Sequence, residues 1–419
     1  MKNIIKAQRG TADILPNQSY KWRYVERIFA EVATVFGFKE IRTPVFEATE
    51  LFARGVGDGT DIVQKEMYTF DDKGGRSVTL RPEGTAGVVR AVIENSLLSQ
   101  SMPLKVFYII TAYRYEKPQK GRGREFHQLG AEIFGADFPA ADIRLIDFMI
   151  SFFAELGLKN LNLEINSIGC HDCRGEYYKA LAGYMRENSD ELCPTCIVRL
   201  EKNPMRILDC KNPACIQISE KAPMIIGYLC GECESHFNEV KSGLDILKIK
   251  YSVNPKIVRG LDYYTRTVFE FVTDEIGAQG TVCGGGRYDD LIENLGGAAV
   301  SGLGFALGVE RLMILMEKLD TLFEPEEPCM LYICNAGEKS RQKTLEIASA
   351  LNRIGKRCEC DETGRGLKAQ MKFADKLGAK YTAVIGDEEL ETDTAKVKNM
   401  QTGETIAMSL NDIKKGKMK

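Results

Sequence analysis

The sequence predicts an α+β protein: an antiparallel sheet flanked by helices, an inserted cysteine-rich helical module, and a C-terminal α/β domain. Three observations predict it. Two apolar-rich strands, KVFYIITAYRYE and EFHQLGAEIFG, flank a basic segment, KPQKGRGR. Eight of the 13 cysteines crowd between Cys170 and Cys233. Past residue 328, strand and helix patterns alternate. At 419 residues the chain is too long for one ordinary core and suits two or three domains.

A first helix starts near Pro16 and runs through VERIFAEVATVFGF, with Val25, Ile28, Phe29 and Val32 at helical spacing and Gly37 as its stop. EIRTPVFE reads as a strand in which Pro44 marks an edge or an interface. SVTLRPEG is a short strand, and Thr85 can cap the helix AGVVRAVIENSL. The two long strands make an antiparallel hairpin with a long, basic, mobile loop. A helix follows over 140–155, and the stretch of about 170–240 reads as an inserted module. YYTRTVFEFVT is a strand by its β-branched and aromatic content. CGGGRYDDLIENLGG reads as a glycine-rich turn entering a short helix, and GLGFALG as a second such turn before a helix over 309–319. PEEP (325–328) reads as the linker between a domain over 1–325 and another over 328–419. In the latter, MLYICNA, a helix around 340–354, KRCECDE, a helix around 366–377 and YTAVIGD alternate.

With 44% hydrophobic and 27% charged residues the composition is that of a globular protein. A net charge of −3 argues against non-specific wrapping of nucleic acid but leaves local basic patches open. The opening MKNIIKAQRG has no signal-peptide core and no window spans a membrane, so a cytoplasmic location without a membrane partner is expected.

Side chains alternate faces along a strand, so in EFHQLGAEI the residues Gln128, Gly130 and Glu132 share one face. Two hydrogen-bonding groups around a residue with no side chain make either a slot for a small polar ligand or a solvated outer face. His127 falls on the opposite face and reads as structural; with only three histidines and no paired nucleophile, hydrolase chemistry is not expected. Arg114 precedes a loop holding Lys117, Lys120, Arg122 and Arg124, either a surface charge run or a phosphate or RNA contact. Arg311 stands behind GLGFALG, whose glycines let backbone approach a ligand. Arg259 either pairs with Asp262 or serves as a transition-state cation, and of Tyr263 and Tyr264 only one need reach a ligand. Glu83 lies at a strand-to-helix junction, a common ligand-binding point, or is a simple turn residue. Four cysteine pairs, Cys170/Cys173, Cys193/Cys196, Cys210/Cys215 and Cys230/Cys233, suggest structural zinc over unmetallated thiols, with His171 and His236 as substitute ligands. The other five cysteines read as packing residues.

Taken together, these segments resemble the bacterial histidyl-tRNA synthetases, a class II aminoacyl-tRNA synthetase family, over nearly the whole length. RGTADILP resembles the family's opening, IRTPVFE the dimer-forming first class II motif, YRYEKPQKGRGREFHQLG the second, and GLGFALGVERL the third. VRGLDYYTRTVFE and GGGRYDDL resemble the two histidine-specific motifs, and GRGLKAQMKFADKLGA the anticodon-binding domain. The resemblance implies the class II antiparallel sheet, a homodimer, and ATP, Mg²⁺, L-histidine and tRNA(His) as ligands. It implies that Glu83, Thr85 and Gln128 hold the histidine amino and carboxylate groups, and that Glu132 and Tyr264 read its imidazole. Tyr263 and Tyr288 would line the pocket, Arg114, Arg122 and Arg311 would hold ATP, and Arg259 would stabilise charge at the α-phosphate. Arg259 and Arg114 are the implied catalytic pair. The abundance of cysteine pairs is not a general feature of the family. Two readings compete: the regulatory subunit of ATP-phosphoribosyltransferase, a paralogue that charges no tRNA, and a class II synthetase for another amino acid such as threonine or proline.

Overall fold

A computed structural model describes residues 4–57, 59–277, 280–321, 323 and 328–418. The chain divides into two compact units, Met1–Glu324 and Pro325–Lys419. Most of the PEEP linker assigned from sequence lies outside the described residues.

In the first unit, helix α1 (Pro16–Val35) begins on a proline at its first turn, where no N–H is needed. Strand β1 (Lys39–Glu40) and strand β2 (Phe46–Ala48) belong to different sheets, so EIRTPVFE is not one strand. Pro44 falls at the break, where its missing N–H could not serve a ladder. Helix α2 (Thr49–Val56), strands β3 (Tyr68–Asp71) and β4 (Ser77–Leu80), and helix α3 (Thr85–Glu94) follow. Strands β5 (Leu104–Tyr113) and β6 (Glu125–Phe134) form the expected antiparallel hairpin. Then come helix α4 (Pro139–Glu155), strand β7 (Asn162–Ser167), helices α5 (His171–Glu187), α6 (Pro194–Lys202), α7 (Pro213–Glu220) and α8 (Gly231–Ile246), and strand β8 (Tyr251–Val253). Strands β9 (Thr265–Val272) and β10 (Thr281–Arg287), helix α9 (Leu291–Asn294), strand β11 (Gly302–Gly308) and helix α10 (Val309–Lys318) complete the unit.

The main sheet has the order β1-β5-β6-β11-β10-β9-β7-β8; the pairs β1–β5 and β7–β8 at its two edges are parallel and the rest antiparallel. CGGGR and GLGFALG, read as turns from sequence, are its central strands β10 and β11. Glycine is depleted in strands generally; here it makes room for large side chains from neighbouring strands, as the site below requires.

Helices α1, α4 and α10 cover one sheet face. Phe29 of α1 anchors that layer, its ring 5.6 Å from Phe148, 5.2 Å from Phe152 and 6.2 Å from Phe305. Leu129, Ala131 and Ile133 of β6 point into this core, so Gln128, Gly130 and Glu132 face the other side. That side packs against α3 and the module, with Val88, Val89, Tyr108, Tyr177 and Leu181 in one continuous core.

One ion pair ties the layers. Arg287 at the end of β10 is 1% exposed and donates to Asp142 of α4 at 2.6–3.0 Å, and to the carbonyls of Ala136 and Phe138. His236 of α8 lies 3.3 Å from the same carboxylate, so it is not a cysteine-cluster ligand.

In the second unit, strands β12 (Leu331–Asn335), β13 (Cys358–Cys360), β14 (Tyr381–Ile385), β15 (Thr394–Asn399) and β16 (Thr405–Ser409) form a sheet ordered β13-β12-β14-β15-β16. Helices α11 (Glu338–Arg353) and α12 (Leu367–Lys376) lie between its parallel strands in sequence. Leu331 and Ile333 of β12 enter one core with Ile347 and Leu351, whereas Tyr332 and Cys334 enter another with Ala374.

Substituting Arg287→Met should destabilise the first unit by about 3–5 kcal/mol, because it strands the buried Asp142 charge. Urea unfolding measures this, and a loss below about 1 kcal/mol would mean the pair is not a structural tie.

Candidate active site

A buried carboxylate organises the second sheet face. Glu132 of β6 is 0% exposed. Its Oε1 accepts from Thr85 Oγ1 of α3 at 2.8 Å and from Tyr108 Oη of β5 at 3.2 Å, and its Oε2 accepts from Tyr288 Oη just past β10. Gly304 of β11 sits opposite Glu132 in register, and a Cβ there would overlap Oε2. Burial pushes the Glu132 carboxyl up to about 8, against the three hydroxyls, which favour the charged form. The face is therefore not solvated at this point. Nor is Gly130 a slot for a ligand: Tyr108 lies opposite it, and a Cβ on Gly130 would meet the phenol.

Glu83 caps α3. Its carboxylate accepts from the backbone N–H of Thr85 at 2.7 Å and of Ala86 at 2.8 Å. Thr85 is thus the first residue of the helix and not its cap, and its hydroxyl serves Glu132 instead. Burial raises the Glu83 carboxyl above its ordinary range. Gln128, 7% exposed, has its Oε1 buried with no hydrogen-bond partner among the described residues. The Tyr263 ring lies 4.7 Å from that of Tyr264, tilted by 46°, and meets Tyr288 edge-on at 5.5 Å.

Arg259 pairs with Glu270 of β9, not with Asp262, and its guanidinium lies over the Tyr264 ring at 5.5 Å. Asp262 faces away, accepting from Asn203 Nδ2 at 3.1 Å and lying 3.9 Å from Arg206. Gly284 of β10 admits the Arg259 guanidinium, which a Cβ would strike. Burial opposes the Arg259 charge, and Glu270 outweighs it, holding the group above its ordinary pKa. Arg259 Nε is buried without a hydrogen-bond partner among the described residues.

Three further arginines cluster. Arg114 donates from Nε to the Pro82 carbonyl at 2.8 Å and stacks 5.2 Å from Phe126. Arg122 reaches Glu116 at 3.4 Å. Arg311, in the first turn of α10, donates to the Thr281 carbonyl at 2.8 Å, and Gly121 of the basic loop packs over its stem. Burial and then the Arg122 charge lower Arg311 to about 10. Glu116, 3.8 Å from Arg114 and 3.4 Å from Arg122, offsets part of the repulsion among these cations. The basic loop is held at both ends: Gln119 and Arg122 exchange backbone bonds, and Arg124 donates its N–H to the Gly10 carbonyl at 2.7 Å and covers the Tyr115 ring. Lys117 and Lys120 are exposed on it.

Among residues that sequence analysis did not single out, Tyr108 and Glu270 carry the most. Each lies opposite a glycine in register, Tyr108 across from Gly130 and Glu270 across from Gly284. A glycine facing a large side chain was the available signal. His127 bonds Glu310 through Nδ1 at 2.9 Å and meets the Trp22 ring edge-on, a structural role.

The eight module cysteines form two groups, each of which could hold a metal ion. Cys170, Cys173, Cys230 and Cys233 make one, Cys193, Cys196, Cys210 and Cys215 the other, with sulfur atoms all within 4.8 Å in each. His171 is exposed and belongs to neither.

The sequence pattern of the histidyl-tRNA synthetase family matches residues 10–172 and 230–312, leaving 173–229 outside it, and that of the anticodon binding domain matches 330–416. The histidine–tRNA ligase of Acetivibrio thermocellus is 54% identical over 410 residues, 98% of each chain. The apo S. aureus histidyl-tRNA synthetase superposes with a TM-score of 0.84 at 40% identity, over 99% of each chain. A Bacillus halodurans chain described as ATP phosphoribosyltransferase regulatory subunit/histidyl-tRNA synthetase, 22% identical, shares the fold over 92% of this chain and 99% of its own, with a TM-score of 0.65. With matches of this extent, the chain belongs to the histidyl-tRNA synthetase family.

Proposed function

We propose that the protein activates L-histidine with ATP and transfers it to the 3′ end of tRNA(His). The observation that carries this reading is the Glu132 cage, a buried carboxylate among hydroxyls beside a separate set of arginines. One half suits a small polar side chain and the other a triphosphate.

Histidine lies between α3 and the Tyr263–Tyr264 loop. Glu83, Thr85 and Gln128 take its amino and carboxylate groups, and the unpartnered Gln128 Oε1 accepts from the amino group. Glu132 and Tyr264 bond the two imidazole nitrogens, and Tyr263 and Tyr288 line the pocket. An amino acid without those nitrogens leaves buried polar groups unpaired, which is the source of selectivity. ATP lies against Arg114, Arg122 and Arg311. Mg²⁺ would be carried to the site on the triphosphate oxygens.

The reaction needs no protein nucleophile. The histidine carboxylate attacks the α-phosphorus in line and pyrophosphate leaves. Arg259 and Arg114 hold the charge that develops on the α-phosphate, and the rest is positioning. The terminal adenosine hydroxyl of tRNA then attacks the adenylate's acyl carbon, forming the histidyl ester as the acyl–phosphate bond breaks and AMP leaves. The reading carries with it a cytoplasmic homodimer. Val45 and Phe46, 42% and 57% exposed beside Pro44, are the apolar residues such an interface would cover. It also carries structural zinc in the cysteine module. The regulatory-subunit reading is weaker, because the likeness at 22% identity concerns fold alone.

Amino-acid-dependent ATP–pyrophosphate exchange tests the reading: exchange with histidine alone is expected, and silence with every amino acid would overturn it. Arg259→Ala should lower the exchange kcat by about 10²–10³-fold with the circular dichroism unchanged; near-normal exchange would remove Arg259 from the mechanism. Glu132→Gln should raise the KM for histidine by about 10–100-fold and that for ATP far less, and equal changes would count against its role in reading imidazole. The same substitution has a stability signature. Glu132 is raised from 4.5 to about 8 on folding, so its stabilisation is full below the ordinary carboxylate range and is lost as pH rises through about 8. Urea midpoints of the ligand-free protein should therefore fall between about pH 4.5 and about pH 8, and fall less in the variant.

A further inference from the structure

We infer that the module holds two zinc ions in nested tetrathiolate sites, and that the two sites brace opposite ends of the loop carrying Arg259 and Tyr264. The inference rests on the zinc reading above and assigns the pairing and the role.

Sequence spacing gives four cysteine pairs but not which pairs combine. The structure joins the outer pairs, Cys170/Cys173 with Cys230/Cys233, and the inner pairs, Cys193/Cys196 with Cys210/Cys215. Sulfur separations are 3.6 Å for Cys170–Cys173, 3.9 Å for Cys170–Cys230 and 3.8 Å for Cys193–Cys210. A disulfide needs about 2.05 Å. A tetrahedron with Zn–S bonds of about 2.3 Å has edges of about 3.8 Å. The second cysteine of every pair, Cys173, Cys196, Cys215 and Cys233, is the third residue of its helix, α5, α6, α7 or α8, and is buried. Each group therefore lies between two helix N-termini, whose partial positive charge favours thiolate. Backbone N–H groups also point at sulfur: Cys230 N to Cys173 Sγ at 3.1 Å in the outer group, and Cys193 N to Cys215 Sγ at 3.3 Å in the inner one. Such donors suit sulfur that carries negative charge, as a metal-bound thiolate does. All-thiolate tetrahedral donors select zinc over harder cations.

The outer site stands where the module leaves and rejoins the sheet. Gly169, one residue before Cys170, accepts the Arg266 N–H at 2.9 Å. Arg174, one residue after Cys173, donates to the Tyr264 carbonyl. This site thus fixes the far end of the 259–266 loop. The inner site flanks residues 197–209, from which Arg206 donates to the Gly260 carbonyl at 2.5 Å and Asn203 to Asp262 Oδ1 at 3.1 Å. That site fixes the near end. The cysteines are positioning residues, acting on histidine through the loop, and the ATP arginines Arg114, Arg122 and Arg311 lie on other elements.

The test measures zinc in the full-length protein after exhaustive dialysis against metal-free buffer without chelator, together with Cys233→Ser and Cys196→Ser. Two zinc ions per chain are expected in the unaltered protein and one in each variant. Each variant should raise the KM for histidine in pyrophosphate exchange about tenfold while leaving that for ATP nearly unchanged. Cobalt substitution of the unaltered protein, giving a tetrathiolate spectrum that saturates at two ions, checks the sites should a variant fail to fold. No bound zinc, with eight titratable module thiols, would overturn the zinc reading itself and leave histidine activation standing. A single ion per chain, or loss of both ions from one substitution, would overturn the nested pairing. Two independently lost ions with an unchanged histidine KM would overturn the bracing role.

Discussion

Burying a carboxylate in the middle of a sheet is the constraint on which this site depends. Among the described residues no cation pairs with Glu132; three hydroxyls, from α3, β5 and the residue after β10, take the place of water. Each must arrive from a different element, so the packing of α3 on the sheet and the β5–β6 register are tied to one side chain. An unpaired buried charge would be far more expensive than the cage, and the raised pKa records how much of the burial the hydroxyls leave uncompensated.

Gly284 of β10 and Gly302 and Gly304 of β11 follow from the same demand. A Cβ on them would strike Arg259, Tyr288 and Glu132 in turn, so that sheet face has no room for ordinary residues there. Glycine weakens a strand by about 1 kcal/mol at most. Here the strands are central and paired on both sides, which tolerates that weakness. The arginines are handled differently. Arg259 is held above its ordinary pKa by Glu270, whereas burial and the Arg122 charge lower Arg311, with Glu116 opposing them.

Much of this was legible in the sequence because it is periodic. The alternation in EFHQLGAEI located Gln128 and Glu132 on one face, and Val25, Ile28, Phe29 and Val32 located the buried stripe of α1. What was not legible depends on residues distant in the chain. CGGGR and GLGFALG look like turns because glycine usually marks turns; only the side chains across the ladder reveal a strand. Arg259 has Asp262 three residues away, but a turn carries that aspartate toward Arg206 and leaves Glu270 facing the guanidinium. Thr85 has the right chemistry for a cap, yet Glu83 takes the first N–H groups of the helix, those of Thr85 itself and Ala86, and so places Thr85 inside the helix. Four cysteine pairs can combine in three ways, and spacing cannot choose among them.

The parallel pairing of β7 with β8 constrains how this architecture can change length. A parallel pair cannot be closed by a hairpin; it needs a crossover of a dozen residues or more. Helix α8 supplies one, packed on α4 and leading directly into β8. Everything between α5 and α8 is thus an elaboration on a single strand–helix–strand connection. Loop-closure entropy rises only as the logarithm of length, each doubling adding about 0.6 kcal/mol. The sheet is therefore nearly indifferent to how many residues the elaboration contains. A relative could shorten it to a bare crossover, or enlarge it further, without moving a strand.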